Sequence, residues 1–208
     1  MVAGEATPSY LLGGRALASR LRRVAGDGAR LVVILRDPAK RAYSQYQMTS
    51  DLSGTADQLK RRGNVAGRSF ESLIEEDLAK LRSIGAQDPG LDSDVFEREY
   101  LAHTPMGHGS HSYVGRGLYA LQLKQWFKVF PRKQFLFLKL DDVSKNPQQE
   151  LNKVFKFLGL DSVPVPDTKP RNTRSYDPVD PVLDQRLRDF YAPHNKELSS
   201  LIGDKFSF

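Results

Sequence analysis

An arginine, an aspartate and a serine lie where an apolar run gives way to a helical segment. Leu31–Leu35 form the apolar run, Arg36 and Asp37 follow it, and Ser44 lies two turns into the segment that starts at Pro38. Ligands of open α/β sheets bind beyond the carboxyl ends of the strands, and helix N-termini favour phosphate. A guanidinium can hold a phosphate through two bonds. The pattern predicts an anion site at Arg36 and Ser44; a structural carboxylate partner for Arg36 is the alternative.

A second candidate site is a polar loop ahead of the last helical segment. A loop of this kind can surround a phosphate with backbone N–H groups, a hydroxyl and a guanidinium. The alternative is a surface loop whose arginine caps the preceding turn. The loop consists of Asn172, Thr173, Arg174, Ser175 and Tyr176.

Two weaker groupings also deserve a chemical interpretation. His103, His108 and His111 lie in one stretch, but no cysteine or patterned carboxylate accompanies them, so a zinc site is disfavoured. Contact with an anionic acceptor is the other functional reading of this stretch. Asp141 and Asp142 follow an apolar run, where they are either catalytic by position or, as we expect, part of a helix or turn cap.

Composition limits the classes of protein that the chain can belong to. The chain has 208 residues, no cysteine and a formal net charge of +6, which suits one globular domain with an anionic partner. The lack of cysteine excludes disulfides and thiolate metal sites. No apolar run approaches the roughly 20 residues that span a bilayer, and the first residues lack a signal-peptide pattern.

Apolar periodicity predicts the elements that would position these residues. Leu31–Leu35 and Phe135–Leu140 are predicted strands, each buried on both faces as in a parallel sheet. Residues 49–68 and 85–112 are predicted to be loops, and Pro193 is predicted to break the last helix. Helical segments are expected at residues 17–24, 38–48, 70–81, 119–130, 151–158 and 182–202.

The strand, Arg36-Asp37-Pro38 and the following Ser44 resemble the 3′-phosphate-binding motif of sulfotransferases that use 3′-phosphoadenosine 5′-phosphosulfate (PAPS). In that family the arginine and the serine bind the 3′-phosphate. Residues 172–176 are similar to the cofactor loop of heparan-sulfate sulfotransferases, a Lys-Gly-Arg-Thr-aromatic run. Asn172 and Thr173 replace the lysine and the glycine, whereas Arg174, Ser175 and Tyr176 match.

Three further stretches extend the resemblance in the same order along the chain. Residues 5–11 are similar to the family's Thr-Pro-Ser-Tyr segment, although Ala6 stands where a lysine is often found. Residues 116–131 are similar to the helix after its substrate loop, and residues 190–208 to its C-terminal helix and end. The resemblance therefore covers nearly the whole sequence.

The resemblance implies an α/β fold with a P-loop-NTPase-like parallel sheet flanked by helices. It implies PAPS as the sulfuryl donor, no metal, and a hydroxyl or amine of an anionic or neutral glycan as the acceptor. The family's 5′-phosphosulfate loop and its Lys-Glu segment with the general base should precede Thr7, and neither is found in this sequence. We therefore expect residues 1–208 to be a single, N-terminally incomplete domain that lacks one strand-loop-helix unit.

The alternative is a truncated or degenerate module that binds nucleotide or acidic polysaccharide without catalysis. Binding of nucleic acid is disfavoured, because the sequence has no compact basic stripe with interleaved aromatic residues. Eukaryotic relatives of this type are Golgi-lumenal and membrane-anchored, so the resemblance implies that location for a eukaryotic protein, with an anchor outside this sequence, and the cytoplasm otherwise.

Overall fold

A computed structural model describes residues 3–63, 65, 67–88, 90–104, 112–165, 167 and 175–208. Within these residues, helices surround a small parallel sheet of two strands. None of these helices is both long and apolar enough to cross a membrane. In chain order the elements are α1 (Gly14–Ala25), β1 (Leu31–Leu35), α2 (Pro38–Ser50), α3 (Ala56–Arg62), α4 (Phe70–Ser83), α5 (Ser93–Glu99), α6 (Tyr119–Phe127), β2 (Phe135–Lys139), α7 (Leu140–Lys145), α8 (Pro147–Leu158) and α9 (Pro181–Ile202).

The two strands confirm the predicted parallel pairing. Leu31 pairs with Phe135, and the register runs on to Leu35 opposite Lys139. Because parallel strands end at the same edge of a sheet, Arg36 comes next to the carboxyl end of β2. A cationic residue therefore lies at this edge for each strand: Arg36 directly after β1 and Lys139 at the end of β2.

One face of β1 is packed and the other is not, which corrects the prediction of a strand buried on both faces. Leu35 is 2% exposed and packs with Ala18 of α1 and Trp126 of α6. On the opposite face, Val32 is 39% exposed and Ile34 is 51% exposed. The continuous apolar run predicts cover on both sides, and the described residues supply it on one side only.

Two predicted loops contain helices. Residues 49–68 hold α3, whose start has a capping box: Thr55 accepts from the Gln58 N–H, and the Gln58 side chain accepts from the Thr55 N–H. Residues 85–112 hold α5, capped by Asp92. Helix α3 buries no residue, so it has no apolar stripe to signal it, but its Thr-x-x-Gln spacing is a helix-start signal.

The other helical predictions are confirmed, with one correction at Pro193. Helix α9 runs through Pro193 without ending there. A proline inside a helix removes a hydrogen bond and clashes with the preceding turn. Tyr191 and Leu198, on either side of it, are each 1% exposed, so tertiary packing holds the helix together across the proline.

Candidate anion-binding site

Helix α2 begins at the edge of the sheet with a cap built from Asp37. The Asp37 carboxylate accepts a hydrogen bond of 2.9 Å from the Lys40 N–H, and Pro38 occupies the first helical position. The other carboxylate oxygen of Asp37 lies 3.3 Å from the Arg188 guanidinium of α9. The start of α2 is therefore fixed both by its own cap and by a charged contact with α9.

Arg36 lies directly before this cap. Its backbone oxygen accepts a hydrogen bond of 3.0 Å from the Tyr119 hydroxyl, which holds the main chain at the end of β1. The side chain is half-buried, and no hydrogen bond or ion pair joins it to another of the described residues. Asp37, the neighbouring carboxylate, is engaged with Arg188, and Arg36 has no carboxylate partner within the described part of the chain.

Ser44 lies in the second turn of α2 and is half-buried. It shares a helix face with Lys40 and Arg41, which precede it by four and three residues. Its hydroxyl has no hydrogen-bond partner among the residues that the structure describes. A half-buried hydroxyl next to two cations is suited to donating a hydrogen bond to an anion.

The surroundings of this edge are strongly cationic. Arg41 is held by Gln45 at 2.7 Å and donates to the Tyr113 carbonyl. Lys139 ends β2 with its Nζ atom 4.9 Å from the centre of the Phe208 ring. Burial raises the pKa of Tyr119 to about 12, so this phenol stays protonated and acts as a donor.

The described part of the 172–176 loop lies against α2. The Tyr176 ring packs edge-on against the Tyr43 ring, with 5.3 Å between the ring centroids. The Tyr43 hydroxyl donates a hydrogen bond of 2.8 Å to the Asp177 carbonyl. Tyr43 directly precedes Ser44, so this contact brings the segment to the helix that carries Ser44. A cavity of about 390 Å³ lies at the C-terminal end of α2, where it is lined by Gln47, Ser50, Asp51, Ser175 and Tyr176 and not by Arg36 or Ser44.

The remaining residues of the predicted loop, Asn172, Thr173 and Arg174, lie outside the described residues, as do His108 and His111. His103 is exposed, and the described residues contain no group of three or more potential metal ligands. Asp141 and Asp142 lie in the first turn of α7, which is the favourable end of a helix for a carboxylate.

The sequence analysis missed a buried carboxylate that supports the start of α2 through a neighbouring turn. Asp77 of α4 is 2% exposed. It accepts from the Tyr100 hydroxyl at 2.5 Å, from the Val114 N–H at 2.6 Å and from the Gly115 N–H at 3.0 Å. Burial raises the pKa of this carboxyl, against the opposing effect of the three hydrogen bonds. Its place within the apolar stripe of α4 was the available sequence signal.

The turn held by Asp77 touches the first residue of α2. A Cβ atom at Gly117 would lie 2.7 Å from the Pro38 Cβ and 2.6 Å from the Tyr191 hydroxyl. These distances are shorter than any ordinary contact, so only glycine fits. Asp77 therefore fixes the turn, and the turn fixes the helix start beside Arg36.

Arg116, in the same turn, ties the N-terminal segment to this region. Its guanidinium donates to Ser112 at 2.9 Å and to Ser9 at 3.3 Å. Burial lowers the pKa of Arg116 to about 10, with a further contribution from the nearby Arg41. Two arginines close enough to affect each other's charge make this side of α2 attractive to anions.

The comparison with known families decides the assignment. Residues 21–177, which include β1, α2 and β2, match the sulfotransferase domain family. The chain belongs to the sulfotransferase family. Sulfotransferases are transferases, and the α2 edge contains the residues that resemble their 3′-phosphate motif.

Curated sulfotransferases from animals and a slime mould are similar over most of this chain. Carbohydrate sulfotransferase 15 of Homo sapiens is 29% identical over an alignment of 188 residues that covers 85% of this chain and 30% of that protein. Heparan sulfate glucosamine 3-O-sulfotransferase 3B1 of Homo sapiens is 27% identical over 98% of this chain and 49% of its own length. The membrane-associated sulfotransferase kil1 of Dictyostelium discoideum is 23% identical over 99% of this chain and 53% of its own. This sulfotransferase chain thus spans about a third to a half of these relatives.

A solved bacterial structure confirms the fold. The sulfotransferase from Alicyclobacillus acidocaldarius superposes with a TM-score of 0.61 at 26% identity, over 93% of this chain and 62% of that one. The helix-rich arrangement around a small parallel sheet is thus a sulfotransferase fold.

Proposed function

We propose that this sulfotransferase chain forms the 3′-phosphate side of a PAPS site, with Arg36 and Ser44 as the direct ligands of the phosphate. The observation that carries the proposal is that both side chains are half-buried at one helix start and have no partner among the described residues. Half-buried polar groups without protein partners are hydrated in the free protein and can exchange that water for bonds to a ligand. A phosphate would supply acceptors for both.

Side chains, more than the helix itself, would hold the phosphate. Pro38 has no N–H, the Lys40 N–H is taken by the Asp37 side chain, and the Arg41 N–H bonds to the Asp37 carbonyl. The free N–H groups that usually bind anions at a helix start are therefore largely used by the cap. Removal of Arg36 should consequently affect binding more than it would at an uncapped helix.

The loop that contains Asn172, Thr173, Arg174, Ser175 and Tyr176 would close over the nucleotide. The support for this part is the contact of Tyr176 with Tyr43, which directs the described end of the loop to the helix of Ser44. Tyr176, 37% exposed, offers a flat apolar ring surface in the lining of the cavity at the C-terminal end of α2. An adenine base is a suitable occupant for such a surface.

The reaction would be an in-line transfer of the sulfuryl group from PAPS to a hydroxyl or amine of a glycan. The S–O bond to the 5′-phosphate breaks and a bond from sulfur to the acceptor oxygen or nitrogen forms. The acceptor proton goes to a base, and adenosine 3′,5′-bisphosphate leaves. Such transfers depend on positioning and on stabilisation of charge. Arg36 and Ser44 would contribute positioning, since they hold the end of the donor that does not react.

The 5′-phosphosulfate loop and the general base would come from polypeptide that covers the outer face of β1, as in a P-loop-like sheet. Val32 and Ile34 are 39% and 51% exposed on that face, whereas parallel sheets are normally covered on both sides. The fraction of the bacterial sulfotransferase that this chain matches, 62%, leaves room for such a unit there. Without that polypeptide, residues 1–208 should bind the bisphosphate only weakly and transfer little sulfate.

A glycan is the proposed acceptor because two of the relatives carry carbohydrate or heparan sulfate in their names. The net charge of +6 is compatible with an acidic polysaccharide. The second candidate function, a non-catalytic nucleotide-binding or polysaccharide-binding module, is favoured by the same uncovered face of β1. Transfer of radiolabelled sulfate to a panel of glycans separates the two for any longer form of the protein.

Calorimetric titration with adenosine 3′,5′-bisphosphate tests the proposed site. Arg36→Ala should weaken binding by about 1.5–3 kcal/mol, or roughly 10- to 150-fold, because a charged hydrogen-bond donor is lost. Arg61→Ala removes an exposed arginine on α3 and serves as the matched control, with binding unchanged. Equal affinities for the wild type and Arg36→Ala would refute the assignment of Arg36.

A further inference from the structure

Helix α1 carries four arginines and no acidic residue. Arg15, Arg20, Arg22 and Arg23 occur within its 12 residues. At 3.6 residues per turn, Arg15, Arg22 and Arg23 point to one side of the helix, and Arg20 lies on the flank of that side, three residues before Arg23 and about 60° from it. We refer to this side of α1 as the arginine face.

The opposite side of α1 is the one that packs on the protein. Ala18 is fully buried, and Leu17 and Leu21 pack around the same core as β1 and α6. The arginine face is therefore turned outwards. The Arg15 side chain is 55% exposed and that of Arg22 is 50% exposed, and Arg20 and Arg23 are exposed as well.

The carboxylates near α1 neutralise only part of this charge. The Glu97 carboxylate accepts from the Arg15 N–H at 2.7 Å and so caps the start of the helix, 4.0 Å from the Arg15 guanidinium. Asp27 pairs with Arg22 at 2.5 Å. Arg20 and Arg23 have no ion pair with any described residue. The second half of the arginine face is thus positively charged without compensation.

Helix α1 is linked at both ends to the region that contains Arg36. A five-residue connection, residues 26–30, joins α1 to β1, and Ala18 and Leu35 share one core cluster. Ahead of the helix, the Ser9 hydroxyl accepts from the Arg116 guanidinium at 3.3 Å, so the segment that leads into α1 reaches the turn that contacts the start of α2. From Arg15 to Arg23 the row is about 12 Å long at 1.5 Å per residue.

We propose that the arginine face of α1 binds an acidic polysaccharide, as the extension of the acceptor chain away from the reaction site. This rests on the proposed transfer to a glycan. Guanidinium groups form paired hydrogen bonds with the carboxylates and sulfates that such chains carry. Ala16 points between Arg20 and Arg23, and Ser19 points between Arg23 and Arg15, so only small side chains separate these three arginines.

Two other anionic partners fit this surface less well. Helix α1 has no aromatic residue, and single-stranded nucleic acids are bound largely by stacking on aromatic side chains. A membrane surface needs a broad apolar face beside the basic one. Val24, 88% exposed, is a single residue and cannot form such a face, because Leu17 and Leu21 are used in the core.

Binding of a size-defined heparin decasaccharide to two double variants tests the proposal. Arg20→Gln/Arg23→Gln removes two charges from the arginine face. Lys60→Gln/Arg61→Gln removes two exposed charges from α3 and is the matched control, since the net charge falls equally. We expect at least fivefold weaker binding and a shallower salt dependence for the first variant, and a change within twofold for the second.

Several results would overturn the proposal. Equal losses in both variants would indicate attraction by net charge alone, and no loss in the first variant would remove the arginine face as a binding site. Tighter binding of a single-stranded oligonucleotide or of phosphatidylserine vesicles than of the decasaccharide would assign the surface to another partner.

Titration with adenosine 3′,5′-bisphosphate in the same samples distinguishes this proposal from the proposed nucleotide site: the first variant should retain wild-type nucleotide affinity. If the wild type bound the decasaccharide through Arg20 and Arg23 but not the nucleotide, the nucleotide site would fail and the polysaccharide surface would stand.

Discussion

Two polar groups flank the start of α2, and they differ in how their hydrogen-bonding capacity is used. Asp77 is 2% exposed and accepts three hydrogen bonds from Tyr100, Val114 and Gly115. Arg36 is half-buried and its guanidinium contacts no partner in the described part of the chain. The contrast indicates that Asp77 has a structural role, whereas Arg36 can bind a ligand.

The two groups should contribute to different free energies: Asp77 to folding and Arg36 to ligand binding. A buried carboxylate with all its bonds made contributes to one defined structure, but its removal strands three buried donors. A half-buried guanidinium without a partner contributes little to stability, and its bonds are made only when the anion arrives. Mutations at the two positions should therefore affect different measurements.

The largest expected effect is on stability at Asp77. Asp77→Ala should lower the free energy of unfolding by on the order of 3–5 kcal/mol, because the Tyr100 hydroxyl and two N–H groups lose their acceptor inside the protein. Urea denaturation measures the change. Asp161→Ala, at an exposed aspartate, is the control and should change stability by less than about 0.5 kcal/mol. A loss at Asp77 no larger than at Asp161 would remove its scaffold role.

A smaller loss is expected where the Asp77 turn touches α2. Gly117→Ala should destabilise the protein by about 1–3 kcal/mol, since its Cβ would lie 2.7 Å from the Pro38 Cβ and must displace it or Tyr191. Gly28→Ala is the control, because a Cβ at Gly28 would meet nothing within 4 Å. Gly117→Ala should also weaken binding of the bisphosphate, since the start of α2 would shift. Unchanged stability and binding would show that the turn does not fix the helix.

The pH dependence of stability sharpens the account of Asp77. Burial raises the pKa of Asp77 in the folded state, so the folded protein binds more protons than the unfolded chain between the ordinary and the raised pKa. Stability from this group therefore falls as pH rises through that window and stays lower above it. Asp77→Asn does not titrate, so its unfolding free energy relative to the wild type should increase from pH 4 upwards, as measured by urea denaturation at several pH values. A relative decrease would mean that the three hydrogen bonds outweigh burial and lower the pKa.

The smallest expected effect on stability is at Arg36 itself. Arg36→Ala should change the free energy of unfolding by no more than about 0.5 kcal/mol, because no described residue loses a hydrogen bond or ion pair with the side chain. Thermal unfolding of both proteins without ligand checks this expectation. A loss of 2 kcal/mol or more would show a structural role and would weaken the division between the two groups.

Local sequence signals were sufficient for the parts of the fold that are defined by strong patterns. The apolar run before Arg36, the Asp37-Pro38 helix start and the buried stripe of α4 all predicted the observed elements. Helices α3, α5 and α7 were missed because each is at most about two turns long, and the caps at Thr55 and Asp92 are the main signal for the first two. Helix α7 begins at Leu140, so the predicted strand Phe135–Leu140 was one residue too long. The prediction of a break at Pro193 was wrong because long-range packing decides the continuity of α9.

The candidate site was predictable as far as it depends on neighbours in sequence. Arg36 and Ser44 belong to one strand-helix unit, so their placement follows from local structure. Arg188 and Asp77 act on this unit from 151 and 40 residues away along the chain, and no local pattern indicates such contacts. The exposed face of β1 could not be predicted either, because an apolar run indicates that both faces favour burial but does not show which segment covers each face.

A comparison of two nucleotides tests most directly whether Arg36 is reserved for the 3′-phosphate. Adenosine 3′,5′-bisphosphate and adenosine 5′-monophosphate differ only in that group, and titration calorimetry gives the affinity of each for the wild type and for Arg36→Ala. The wild type should prefer the bisphosphate by at least tenfold, and Arg36→Ala should lose most of that preference while its affinity for the monophosphate stays the same. An undiminished preference in Arg36→Ala, or an equal loss for both nucleotides, would contradict the assignment.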